Sequence, residues 1–70
     1  MVPLTLAKIG EENSIKKING REDLRQFLSA LGFIPGAHVT IITAVNGSVI
    51  VGIKESRVAI GRETAAKIMV

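Results

Sequence analysis

Few side chains in this sequence could perform catalysis or bind a metal ion. His38 is the only histidine and cysteine is absent, which excludes disulfides and thiolate metal sites. A zinc or iron site would need His38 together with carboxylates such as Glu55 or Glu63. Transition-metal sites usually use several histidine or cysteine ligands. We therefore expect no resident metal ion, and His38 is more typical of a surface or capping residue.

The serines and glycines form no catalytic or phosphate-binding motif. Nucleophilic catalysis requires a base beside the nucleophile, and none of Ser29, Ser48 and Ser56 has a plausible base nearby in the sequence. Gly32 and Gly36 do not belong to the Gly-x4-Gly-Lys-Ser/Thr pattern of a phosphate loop. No catalytic residue and no cofactor is predicted, so the sequence indicates a binding protein and not an enzyme.

The net charge of +3 raises the question of nucleic-acid binding. Lys16 and Lys17 form the only basic doublet, and several of the other, scattered basic residues stand beside carboxylates. Only Phe27 and Phe33 could stack on bases, since tryptophan and tyrosine are absent. We expect no nucleic-acid partner.

No apolar stretch is long enough to span a bilayer, and the first residues do not resemble a signal peptide. The sequence therefore predicts a cytoplasmic protein without direct membrane insertion.

The clearest helix is predicted for residues 21–31. Its apolar side chains recur at the spacing of one helix face: Leu24, Phe27, Leu28 and Leu31. Gly32 follows the last of them, where a helix commonly ends in a left-handed residue. Pro35 and Gly36 then predict a type II turn, because glycine supplies the positive φ at its third position.

A β-hairpin is predicted around Asn46-Gly47, the strongest short hairpin signal. The flanking residues 38–45 and 48–54 are rich in β-branched side chains. With a two-residue loop, the pairing would run back from the turn to Val39 opposite Lys54. One face of this hairpin would carry Thr40, Ile42, Ala44, Val49, Val51 and Ile53. The other would carry Val39, Ile41, Thr43, Val45 and Ile50. Both faces are mostly apolar, so we expect both to be covered, one by the rest of a barrel and the other by the helix or a partner, and a homo-oligomer is compatible with this.

The remaining elements complete a mainly β fold. They are a short strand or an extended entry at 4–9, strands at 14–18, 57–60 and 68–70, and a short helical turn at 62–67. The apolar alternation breaks between Ile15 and Ile18, which predicts a bulge or an early strand end there. About five short strands with one inserted amphipathic helix and glycine-rich turns are typical of a small β-barrel. We expect residues 1–70 to form a single domain.

An ordered set of short motifs runs along the whole chain. It includes Arg25-Gln26-Phe27-Leu28, Leu31-Gly32-Phe33-Ile34-Pro35-Gly36, Val39-Thr40-Ile41, Val49-Ile50-Val51 and Lys54-Glu55-Ser56-Arg57-Val58-Ala59-Ile60. This set resembles the FeoA family. The resemblance implies an SH3-like β-barrel and an accessory protein of ferrous iron transport that docks on, assembles or regulates FeoB, the membrane Fe²⁺ transporter. Fe²⁺ is then the cargo of the transporter and not a ligand of this chain. The chain would reach the inner membrane only through that partner.

A second function is compatible with the same fold. Related SH3-like domains close the C-terminus of metal-dependent repressors, and this sequence has no helix-turn-helix of its own. The chain could therefore act in trans as a regulatory module on such a repressor.

Four residues are candidate partner contacts: Arg25, Phe33, Ile34 and Arg57. An apolar or aromatic side chain near the centre of an exposed patch often dominates binding energy, which favours Phe33 and Ile34. Phe33 is equally compatible with a role in the core at the end of the helix, and both alternatives stay open. The turn residues are assigned to backbone geometry and not to binding: Gly32, Pro35, Gly36, Asn46 and Gly47.

Overall fold

The computed structural model describes all residues 1–70 and contains six short strands and one nine-residue helix. The elements are a 3-10 turn (Leu4–Leu6), β1 (Glu12–Ser14), β2 (Lys17–Ile18), α1 (Glu22–Ala30), β3 (His38–Val45), β4 (Ser48–Ile53), β5 (Ser56–Gly61), α2 (Arg62–Ala65) and β6 (Ile68–Met69). Four strands form an antiparallel sheet in the order β1-β3-β4-β5, and β2 pairs with β6 in a second sheet. The predicted mainly β fold with an inserted helix is confirmed.

The short strand or extended entry predicted at residues 4–9 is wrong for Leu4–Leu6. Leu4–Leu6 forms a 3-10 turn in which the Leu6 N–H donates to the Pro3 carbonyl at 2.9 Å and the Ala7 N–H to the Leu4 carbonyl at 3.0 Å. The turn buries Leu4 completely and leaves Leu6 71% exposed. Apolar residues at 4 and 6 fit an alternating strand equally well, so the local pattern could not separate the two structures.

The predicted irregularity between Ile15 and Ile18 is confirmed. Here the chain leaves the four-stranded sheet and enters the two-stranded sheet through Ile15 and Lys16, which we call the crossing segment. The expected strand at 14–18 divides into the end of β1 and all of β2. Between them, the Ile15 N–H donates to the Ala37 carbonyl and the Lys16 N–H to the Met69 carbonyl, both at 2.8 Å. Ile15 is buried while Lys16 and Lys17 are exposed, so the crossing presents two lysines at the surface.

The predicted helix is confirmed as α1, but its apolar stripe divides between the core and the surface. Leu28 is fully buried and Leu24 packs against the core. Phe27 remains 58% exposed and Leu31 is also exposed. Glu22 and Asp23 occupy the first turn, where carboxylates interact favourably with the helix dipole.

The C-terminus of α1 is closed by a Schellman motif. Gly32 has a φ of 102°, the left-handed conformation predicted for it. Its N–H donates to the Ser29 carbonyl, and the Phe33 N–H donates to the Leu28 carbonyl, both at 2.9 Å. This reversal turns the Phe33 side chain back beneath the helix, where it is fully buried with Leu28.

The type II turn after the helix is confirmed. Gly36 has a φ of 91°, and the Ala37 N–H donates to the Ile34 carbonyl at 3.0 Å, which closes the four-residue turn around Pro35. The Gly36 N–H also donates to the Ile15 carbonyl at 2.8 Å. The turn is therefore attached to the crossing segment, so α1 and the two lysines are held at a fixed separation.

The hairpin turn is confirmed, with positive φ values at both Asn46 (43°) and Gly47 (81°), as in a type I′ turn. Beyond Thr43, a bulge at Ile42 changes the register. Val39 pairs with Ile53, so the predicted pairing with Lys54 is wrong by one residue.

The bulge also corrects the predicted faces of the hairpin. An extra residue in one strand turns the side chains beyond it to the opposite face of the sheet. The buried face carries Val39, Ile41, Val49, Val51 and Ile53. Thr40 and Ile42 leave this face, contrary to the prediction. The outer face is not covered near the hairpin turn, because Thr43 and Val45, which pair with Ile50 and Ser48, are exposed. A partner on that face stays a prediction.

The core lies between the two sheets, α1 and the 3-10 turn, and all of its members are apolar. The 13 buried residues are Leu4, Ile15, Ile18, Leu28, Phe33, Val39, Ile41, Val49, Val51, Ile53, Ile60, Ala65 and Ile68. No polar or charged residue is buried. The fold is therefore stabilised by apolar burial and backbone pairing, and the polar side chains lie on the surface.

Gly32→Ala tests the closure of α1. A Cβ at a left-handed position costs about 1–2 kcal/mol, so we expect the free energy of unfolding in urea to fall by that amount. Gly61 is the matched control, because it has a φ of −63° and no atom within 4 Å of an added Cβ. Gly61→Ala should change the free energy by less than about 0.5 kcal/mol. Equal effects of the two substitutions would contradict the assignment.

Candidate functional site

The structure brings three of the four candidate contact residues together. Arg25 on α1, Phe33 after the helix and Ile34 in the type II turn line the same groove. Phe33 is fully buried, which favours its role in the core, and its role as a partner contact stays a prediction. Arg57 lies on β5 and lines a different groove. The candidate site therefore centres on Arg25 and Ile34.

This surface, which we call the basic groove, has a volume of about 330 Å³. It is lined by Lys16, Lys17, Ile18, Arg25, Ser29, Phe33, Ile34 and Pro35. Three local structures build it: the crossing segment with β2, one face of α1, and the turn that follows the helix. Ile34 is 45% exposed, which is high for an isoleucine whose neighbour in the chain is fully buried.

The charge of the basic groove is uniformly positive. Lys16, Lys17 and Arg25 line it, and no carboxylate does. None of the three forms an ion pair, since the salt bridges of the chain are Arg21 with Asp23 at 3.9 Å and His38 with Glu12 at 3.7 Å. The groove therefore offers three uncompensated positive charges beside an exposed aliphatic side chain.

Sequence reasoning found Arg25 and Ile34 but missed the two lysines. The signal was present, because Lys16-Lys17 is the only basic doublet of the chain. The doublet lies near Arg25 because backbone hydrogen bonds join Ile15 to residues 36 and 37. The local sequence pattern does not reveal these contacts.

A second, wider groove lies on the outer face of the sheet, and we call it the sheet-face groove. Its volume is about 650 Å³. It is lined by Glu12, Ala37, His38, Thr40, Ile42, Gly52, Lys54, Glu55, Ser56 and Arg57. Positive and negative side chains are mixed here, so Arg57 does not belong to a region of one charge. A Cβ at Gly52 would lie 3.2 Å from the Ile42 Cδ1, so the absence of a side chain at Gly52 makes room for Ile42.

The third concave surface is apolar, and we call it the apolar pocket. It has a volume of about 300 Å³ and includes Ile9, Ala44 and Val45 among its lining residues. Ile9 and Val45 are both largely exposed. Apolar surface therefore remains exposed here, and self-association through it stays a prediction.

The structure contains no group of three or more histidine, cysteine, aspartate or glutamate side chains that could hold a metal ion. His38 faces only Glu12, and both side chains are about two-thirds exposed. No helix of the chain is long and apolar enough to cross a bilayer.

The antiparallel sheets, the inserted helix and the apolar core define a small β-barrel domain of the SH3-like class. The model of the FeoA domain matches residues 2–70, and the chain belongs to the FeoA family.

Relatives and solved structures agree with this assignment. A protein of Methanocaldococcus jannaschii named "Putative Fe(2+) transport protein A" is 44% identical over 70 residues, which are 100% of this chain and 85% of the relative. A crystal structure of an iron uptake regulatory protein (FeoA) superposes with a TM-score of 0.86 at 30% identity, over 96% of this chain and 89% of the other.

Two more distant structures share the fold. Iron(II) transport protein A from Clostridium thermocellum has a TM-score of 0.87 at 20% identity, with 97% of this chain and 43% of the other covered. A manganese-dependent transcriptional repressor has a TM-score of 0.82 at 16% identity, over 94% of this chain and 38% of the repressor. The same barrel therefore also occurs within longer proteins.

Substitutions at the neighbouring residues Phe33 and Ile34 test which of the two side chains belongs to the core. Phe33→Ala removes the largest fully buried side chain and should cost about 3–5 kcal/mol, which a domain of this size can barely lose without unfolding. Ile34→Ala, at a half-exposed position, should cost less than about 1 kcal/mol. Circular dichroism during thermal unfolding measures both. A Phe33→Ala variant that melts like the wild type would contradict the assignment of Phe33 to the core.

Proposed function

We propose that this chain is a non-catalytic cytoplasmic accessory protein of ferrous iron uptake that docks on a FeoB-type membrane Fe²⁺ transporter and modulates or assembles it. The observation that carries the proposal is the match to the FeoA domain over residues 2–70. The names of two relatives, an Fe(2+) transport protein A and an iron uptake regulatory protein, support the same process. The chain itself would hold no iron, because Fe²⁺ is the cargo of the transporter.

The surface supports docking through the basic groove. Ile34 is partly exposed beside three charges that have no partner within the chain. Apolar side chains ringed by polar groups are typical centres of protein interfaces. The Ile34 backbone is held by the type II turn and by the buried Phe33, so little conformational entropy is lost when a partner covers it.

A second function has one observation in its favour. The likeness to a manganese-dependent transcriptional repressor shows that the same fold occurs inside a metalloregulator. The chain could act in trans on such a repressor as a regulatory module. The identity of 16% supports the fold alone, so the transporter remains the first proposal.

Ile34→Asp tests the docking. The variant places a charge at the proposed contact and should weaken binding by at least about tenfold, because a buried unpaired carboxylate is costly. The wild-type chain and the variant are titrated against the FeoB-type transporter of the same organism in nanodiscs. Leu6→Asp is the matched control, because Leu6 is an exposed aliphatic side chain of the same size as Ile34 but lies outside the basic groove. This variant should bind like the wild type. Retention of the wild type on a metal-dependent repressor, with no binding to the transporter, would replace this proposal by the second function.

His38→Ala tests the absence of catalysis. His38 is the only histidine and is exposed, so a non-catalytic protein without a bound metal should keep its full effect when the imidazole is removed. Uptake of radioactive ferrous iron is measured in cells that lack the chain and are complemented with the wild type or with the variant. Uptake as low as in the uncomplemented cells, from a variant that is folded, would contradict a purely binding role.

A further inference from the structure

We infer that the basic groove recognises an acidic segment of a protein partner, in which carboxylates pair with Lys16, Lys17 and Arg25 while an apolar side chain packs on Ile34. This inference rests on the proposed docking function and states the chemistry of the partner's segment.

The first observation is the concentration of one charge. Lys16 and Lys17 lie in the crossing segment and at the start of β2, and Arg25 lies on α1, so two separate local structures bring cations to one groove. No carboxylate of the chain lines the groove or pairs with these three side chains. A partner segment that carries carboxylates would compensate their charges.

The second observation is the fixed position of these residues. The Lys16 N–H donates to the Met69 carbonyl at 2.8 Å, and Lys17 pairs with Met69 in the small sheet. The turn that carries Ile34 is bonded to Ile15, the residue before Lys16. The backbones that carry the charges and the apolar side chain are therefore held relative to one another before any partner binds, which favours recognition of a defined pattern.

The third observation favours a peptide with carboxylates over a phosphate group as the ligand. Phosphate sites typically use several free backbone N–H groups. Around this groove those groups are engaged: Lys16 N–H with Met69, Phe33 N–H with Leu28, and Ile34 N–H with the Gly32 carbonyl at 3.0 Å. Pro35 has no N–H. At these positions the donors left to a ligand are the cationic side chains, which suits carboxylates on flexible side chains.

Other anionic partners fit less well. Segments that bind anionic lipid surfaces usually carry about 4–8 clustered basic residues, whereas this groove has three on a concave surface with an aliphatic wall. Single-stranded nucleic acids are held by exposed aromatic side chains, and the aromatic residue of this groove, Phe33, is buried. Charge together with the half-exposed Ile34 therefore favours a peptide.

A peptide titration tests the inference without the transporter. The probe is a fluorescein-labelled peptide that contains glutamates around a central leucine, and its control has glutamine at each glutamate. We expect the acidic peptide to bind, the control peptide to bind at least about tenfold more weakly, and the affinity to fall between low and high salt. Equal binding of the two peptides, or no binding of either, overturns the inference.

Charge reversal locates the binding on the chain. The triple variant K16E/K17E/R25E should lose at least about tenfold in affinity for the acidic peptide. The variant K8E/K54E/R62E changes the net charge equally at exposed residues outside the basic groove and should bind within about twofold of the wild type. Equal losses in both variants would show a response to net charge alone and would overturn the inference. Groove-dependent binding to vesicles with anionic lipids, without peptide binding, would overturn it in favour of a membrane surface.

Zero-length carbodiimide cross-linking separates this inference from the proposed function. In the complex with the FeoB-type transporter, mass spectrometry should find Lys16 or Lys17 joined to aspartate or glutamate of the transporter. A complex in which only Lys8, Lys54 or Lys67 is joined to carboxylates would overturn the inference and leave the proposed function standing. Groove-dependent peptide binding without any complex with the transporter would support an acidic segment of another partner and reject the transporter.

Discussion

The burial of Phe33 at the end of α1 is the contact on which the rest of the structure depends. Phe33 is the largest of the fully buried side chains, and it reaches the core only because Gly32 adopts a left-handed conformation. The same reversal ends the helix, starts the type II turn and sets Ile34 at the surface. Fold and docking surface therefore share one constraint. A loss at Gly32 or Phe33 would disturb the floor of the basic groove as well as the core.

The parts of the fold that could be predicted are those with strong local chemistry. Asn46-Gly47 and Pro35-Gly36 require particular backbone angles, and both turns form as predicted. The register of the hairpin could not be read beyond Thr43, because apolar residues occupy both positions 41 and 42 and either could face the core. Gly52 was the available signal, since an isolated glycine within a strand suggests a bulge or a close approach, and its missing side chain makes room for Ile42.

In the candidate site, too, some residues could be predicted from the local sequence, whereas others are brought in by tertiary contacts. Ile34 could be proposed from its place after the helix end and Arg25 from its place on the charged face of the helix. The burial of Phe33 favours the core among its two alternatives. Lys16 and Lys17 are separated from Arg25 by a turn and the first half of a helix. Their convergence depends on bonds between the crossing segment and the turn at residues 34–37, which are tertiary contacts. A charge pattern along the chain carries little information about such a groove.

The central claim is that an FeoA-family chain docks on its transporter through the groove formed by Lys16, Lys17, Arg25 and Ile34. Nuclear magnetic resonance tests it most directly, because every backbone amide of the ¹⁵N-labelled chain reports on its own surroundings. The chain is titrated with the cytoplasmic part of the FeoB-type transporter. The account predicts that the largest shift changes cluster on residues 16–18, 25–29 and 33–36. Changes that cluster instead on Ile9, Ala44 and Val45 of the apolar pocket, or on His38 and Arg57 of the sheet-face groove, would contradict it.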